Sequence, residues 1–175
     1  MATARTATVV LGIDPGTNHT GYGVIAEERG QLSALDWGVI SPRPSLALPE
    51  KLQTIHTALQ ARIEAHHADT MAVEALFFAK NVRSAVTLAH ARGVALLTAA
   101  AAGLTVAEYS PLEVKQAVVG YGRADKQQVQ AMVRVLLNLR EPPLAQDAAD
   151  ALAVALCHLH GQRVRTSLAH LLATR

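Results

Sequence analysis

The sequence predicts an α/β domain: one mixed, five-stranded sheet flanked by helices. Three short β-rich runs come first, in succession, and two more strands then alternate with helices, the order that lays one sheet beneath helical layers. Half of the 175 residues are hydrophobic and 17% are charged, the reverse of a disordered chain. The length suits one domain, and a chain of this size buries roughly two-thirds of its unfolded surface, enough for a core.

Residues 8–13 are apolar and β-branched and stop at Asp14-Pro15-Gly16, a strand closed by a turn. Residues 21–26 and 32–40 follow across a polar stretch and complete a three-stranded antiparallel meander. Residues 41–50 hold three prolines and read as a connection. Leu52, Ile55, Leu59 and Ile63 recur at helical spacing, so 51–66 is an amphipathic helix. Residues 70–76 form the fourth strand, 81–102 an Ala- and Leu-rich helix, and 104–109 the fifth strand. Ser110-Pro111, with Glu113 at capping-box spacing, starts a helix at about 111–118. Further helices fall at about 125–138 and 145–160, separated by Pro142-Pro143. Residues 1–160 thus read as a single domain and 161–175 as a basic tail, frayed or partly ordered.

Composition narrows the function. The opening residues lack a secretory pattern, and the most apolar segment, 93–104, is too short to span a bilayer. Cys157 is the lone cysteine, which excludes an intramolecular disulfide and a thiolate zinc cluster and fits a reducing cytoplasm. Net charge is only +2, but residues 77–140 hold eight basic and three acidic side chains, while 1–76 hold five and eight. A basic middle third suits an anionic partner, although charge runs also occur as plain solvated faces.

Four acids stand out. Asp14 sits where the first strand ends. Seen alone, Asp-Pro-Gly is turn chemistry; it also holds a carboxylate at the mouth of a rigid sheet, with Gly12 and Gly16 leaving room beside it. Glu74 lies inside the apolar run 70–78, with no basic residue within five positions, so its counter-charge must come from a distant Arg or Lys or from a metal. Asp147 and Asp150 are three apart on one helix face; the helix dipole accounts for Asp147 better than for Asp150. If that helix packs on the sheet, its pair reaches the strand-end carboxylates. Oxygen-only donors suit Mg²⁺ or Mn²⁺, and two such ions about 4 Å apart promote phosphodiester hydrolysis. The only two phenylalanines, Phe77 and Phe78, follow Glu74 and precede Lys80 and Arg83. One belongs to the core and the other stacks on an unpaired base. Lys115, Arg123 and Lys126 surround a Gly-Tyr-Gly loop, placed for backbone phosphates or simply for water. His66, His67, His158 and His160 read as surface or structural, and Cys157 as buried in the last helix.

Taken together, the four acids, FFAKN (77–81), VKQAVVGYGRADK (114–126) and DAADAL (147–152) resemble the RuvC family of bacterial Holliday-junction resolvases, from about residue 7 to residue 160. The resemblance implies a ribonuclease-H-like fold. It also implies a homodimer that nicks two opposed strands of a four-way junction symmetrically, leaving ligatable 5′-phosphate and 3′-hydroxyl ends. Asp14, Glu74, Asp147 and Asp150 fall on the family's metal ligands, implying two Mg²⁺ per site with Mn²⁺ as a substitute. Phe77 falls on the base-stacking aromatic, and Lys115 and Lys126 on phosphate-contacting lysines. A partnership with the RuvA–RuvB branch-migration complex is implied as well.

DPGTNHTG (14–21) is also similar to the phosphate-binding turn of the actin and sugar-kinase superfamily, but those proteins close two lobes around a nucleotide and 175 residues cannot supply both. A junction-binding module without catalysis gains nothing from clustered carboxylates facing phosphates. An RNA-processing nuclease of the same superfamily would carry the same acids, and only the resemblance of the basic loops favours the DNA resolvase.

Overall fold

A computed structural model describes residues 7–75, 82–139 and 144–173. Strands β1 (Ala7–Asp14), β2 (Thr20–Glu28) and β3 (Gln31–Ile40) form the antiparallel meander. Arg29 and Gly30, both at positive φ, make the two-residue β2–β3 turn whose twist matches the strands. Strands β4 (Thr70–Glu74) and β5 (Thr105–Tyr109) add on in parallel, giving the order β3-β2-β1-β4-β5. The mixed five-stranded sheet is therefore as the sequence implies.

Alternation along the strands builds two cores. Val9, Leu11, Ile13, Met71 and Val73 point to one face, against Ile55, Leu59 and Ile63 of α1 (Leu48–His66) and Ala91, Ala95 and Ala99 of α2 (Val82–Ala101). Val10, Ile25 and Ala72 point to the other, against α5 (Gln146–Ala173), which α3 (Pro111–Val119) and α4 (Lys126–Leu136) cover in turn. From Ala148 to Leu159 nearly every residue of α5 is buried, so this helix is apolar all round, as a helix between two layers must be.

Several boundaries differ from expectation. Helix α1 starts at Leu48, inside the proline-rich connection, because Pro49 occupies its first turn, where a missing N–H is not felt. Strand β4 ends at Glu74, two residues earlier than expected. Helix α5 continues past residue 160 to Ala173; Arg163 fastens the continuation to the β2–β3 turn through Glu27 at 2.6 Å and the Gly30 carbonyl at 2.8 Å. At the start of α3 the expected box is present: Ser110 Oγ accepts from the Glu113 N–H at 3.3 Å, and Glu113 accepts from the Ser110 N–H at 2.8 Å.

Candidate active site

The site lies at the carboxyl ends of β1 and β4. Ile13 pairs with Val73, so Asp14 and Glu74 follow as next residues on neighbouring parallel strands, on the face that α5 covers. Helix α5 reaches them because the sheet beneath it is nearly bare. Gly12 and Gly23 are cross-strand partners, and Asp14 is the partner of Gly21. A Cβ on Gly12 would meet the Ala151 carbonyl and lie 2.9 Å from Ala155 Cβ. One on Gly23 would lie 2.6 Å from a Leu152 methyl, and one on Gly21 would meet the Asp147 carbonyl. The sequence reading assigned the space beside Gly12 to the site; it is filled by the helix instead. This close approach brings Asp147 and Asp150, in the first two turns of α5, to the strand ends.

Asp14, Glu74 and Asp150 line one cleft of about 290 Å³ with Lys115, Lys126, Pro111, Val114, Val129 and Ala153. Asp147 stands beside Gly21, off this lining, yet close enough to act on Asp14 electrostatically. Burial, with Glu74, Asp150 and Asp147 as like-charged neighbours, pushes the Asp14 carboxyl up to about 8. Burial and Asp150 raise Glu74 too, opposed by its hydrogen bond from Asp14 and by Lys126 and Lys115. Asp14 therefore gives up its proton less readily than an ordinary carboxylic acid, and the two strand-end carboxyls are hydrogen-bonded to each other. Lys126 reaches Asp150 Oδ2 at 3.2 Å. With Lys115 it supplies distant positive charge toward Glu74.

The donor set fits divalent cations: carboxylate oxygens crowded until they retain protons are what such an ion relieves. Among the described residues no group of three or more His, Cys, Asp or Glu side chains forms a ready-made metal site. Asp150 accepts from Lys126, and Asp14 and Glu74 are hydrogen-bonded to each other.

Of the other candidates, Lys115 lines the cleft from α3, and Arg123 is exposed in the loop before α4. Phe77, Phe78 and Lys80 lie outside the described residues. Tyr109 was missed by sequence reasoning. It pairs with Glu74 in register, its carbonyl accepts from the Ala75 N–H at 2.8 Å, and its hydroxyl lies 2.9 Å from Nδ1 of buried His158 on α5. It thereby joins the strand that carries Glu74 to the helix that carries Asp150. No local pattern signals a contact between residues so far apart in sequence. His160 Nδ1 meets the Ala117 carbonyl at 2.9 Å and His66 meets Asp36 at 3.3 Å. Cys157 is buried, which pushes its thiol up to about 12.

The profile of one family, the crossover junction endodeoxyribonuclease RuvC, matches residues 10–158. The chain belongs to the RuvC family. RuvC of Syntrophomonas wolfei is 52% identical over 159 residues, covering 91% of this chain and 92% of its own. RuvC of Heliobacterium modesticaldum is 56% identical over 152 residues, 87% and 94% of the two chains. The solved structure of T. thermophilus RuvC in complex with Holliday junction substrate is similar at a TM-score of 0.85, with 37% identity over 91% of this chain and 97% of that one. The yeast mitochondrial Holliday junction resolvase, 13% identical at a TM-score of 0.65, shares the fold alone. The RuvC fold is ribonuclease-H-like, and the family is one of metal-dependent nucleases. No helix among the described residues is long and apolar enough to cross a membrane.

Proposed function

We propose that this chain resolves four-way DNA junctions, as a homodimer in the cytoplasm, by symmetric nicking of two opposed strands with two Mg²⁺ per site and Mn²⁺ as a substitute. The observation that carries the reading is the cleft itself: carboxylates from two strand ends and a helix on one side, lysines from α3 and α4 on the other. Bound there, two divalent cations would supply activation of water and stabilisation of the departing 3′ oxygen. Asp14, Glu74, Asp147 and Asp150 would hold the cations, with Asp14 ionised. Lys115, Lys126 and Arg123 take the phosphates on either side of the cut and seat the backbone over the acids. Pro111, Val114, Val129 and Ala153 wall the cleft and limit water around the reacting phosphate. Phe77, which follows Glu74 by three positions, stacks on a base at the crossover by family resemblance, with Phe78 and Lys80 beside it.

Two paired cuts are most simply made by two sites related by a two-fold axis. Helix α2 carries a suitable surface. Its buried side belongs to the ordinary core, but Val86, His90, Gly93 and Leu97 recur at helical spacing on the side facing solvent, with Leu97 67% exposed. The reading extends, through the family, to work alongside the RuvA–RuvB branch-migration complex.

Asp14→Asn tests the acids. It replaces the carboxyl with an amide of the same shape that cannot ionise to hold a cation, so junction binding should equal or exceed wild type in a gel-shift titration while cleavage in Mg²⁺ disappears. Cleavage at an appreciable rate would remove Asp14 from the site.

A further inference from the structure

We propose that Lys126 is the resting counter-ion of the cleft: it competes with divalent cations for Asp150 until a DNA phosphate draws it away. The inference rests on the reading of the four acids as metal ligands and goes beyond Lys126 as a phosphate contact. Lys126 is the first residue of α4, the helix end whose dipole repels a cation. Its position is therefore not explained by its own helix. What accepts it is Asp150, 24 residues on, at 3.2 Å. The pair is asymmetric. The Asp150 side chain is 22% exposed and that of Lys126 is 67% exposed, so the lysine reaches inward from solvent to a sheltered carboxylate. Such a half-exposed pair is weak and easily exchanged. Asp14 and Glu74 also lie within its electrostatic reach, so one flexible ammonium compensates the acids in part. Lys115 lines the same cleft and acts on Glu74 at a distance, and no ion pair from it to an acid is seen among the described residues. The two lysines therefore differ in that only Lys126 bonds a carboxylate.

The consequence is coupling. A phosphate that engages Lys126 frees Asp150 for a cation, and a cation on Asp150 frees Lys126 for a phosphate. By linkage the two effects on affinity are equal. Without DNA the site loads poorly, which restrains nicking of DNA that does not present a phosphate to this lysine.

Mn²⁺ affinity, read from the EPR signal of free Mn²⁺, tests the idea in wild type, Lys126→Met, Lys115→Met and Asp14→Asn, each with and without a four-way junction of immobile crossover. Without DNA, Lys126→Met should bind Mn²⁺ roughly fivefold tighter than wild type or more, the size set by loss of one weak ion pair, and Lys115→Met should gain clearly less. The junction should raise wild-type affinity by a similar factor, and Lys126→Met should lose most of that gain. Lys126→Met binding no tighter than wild type or Lys115→Met, or keeping the full junction effect, would overturn the proposal. A separate outcome, Mn²⁺ affinity unchanged by Asp14→Asn, would instead overturn the reading of the acids as the metal site.

Discussion

Asp14 shows how much a single residue's surroundings decide. Its carboxyl rises from an ordinary 3.8 to about 8 because it is buried beside three other acids. The folded protein therefore binds a proton that the unfolded chain releases. In EDTA, the contribution of this group to stability should be full below its ordinary value and be lost as pH climbs toward 8, by on the order of a few kcal/mol across the window. Urea melts at pH 5 and pH 8 check this, and Asp14→Asn should flatten the difference. A wild-type protein equally stable at both would contradict the crowding. The acids could be read from the sequence because each breaks an apolar run or a helix pattern, and an acid among hydrophobic residues asks for a partner. That partner, Lys126, could not be read, because nothing local links it to Asp150 or Glu74. Tyr109 was hidden for the same reason: its bond to His158 spans 49 residues.

At the scale of elements, α5 is central, and glycine lets it be. Gly12, Gly21 and Gly23 clear the sheet so that the backbone of α5 settles onto it and delivers Asp147 and Asp150. Gly21→Ala should force Asp147 and the start of α5 away, destabilising the fold by roughly 1–3 kcal/mol in urea melts and slowing cleavage more than it weakens junction binding. Helix α4 positions Lys126 through its N-cap, where Asp125 accepts from the Gln128 N–H at 2.8 Å. Asp125→Ala should cost about 1 kcal/mol by the same measurement. Strand and helix order was readable from periodicity and turn residues. Gly12 reads as giving room but for the wrong beneficiary, and Gly21 and Gly23 carry no signal in the sequence, since close packing of a helix on a sheet is a tertiary fact. The length of α5 was underestimated likewise: Arg163, Glu27 and Gly30 are joined only by the fold.

For the molecule as a whole, one end of a mixed sheet gathers acids from three elements and faces them with lysines from two more. A single copy has one such cleft, so paired cutting calls for two. Leu97→Glu, at the most exposed apolar position described on α2, should convert a dimer to monomers in sedimentation at micromolar concentration and unpair the two nicks. A variant that stays dimeric would move the interface elsewhere. The fold class and the family were visible in the sequence because the motifs span almost the whole chain in order, whereas the interface surface needed the structure to separate the core side of α2 from its exposed side. The most direct measurement of the whole account is cleavage of a mobile four-way junction beside a linear duplex of the same sequence, with and without Mg²⁺ or Mn²⁺. Paired, metal-dependent nicks at symmetric positions, with the duplex left whole, are the predicted result; equal cutting of both DNAs, or binding without cutting in either metal, would contradict it.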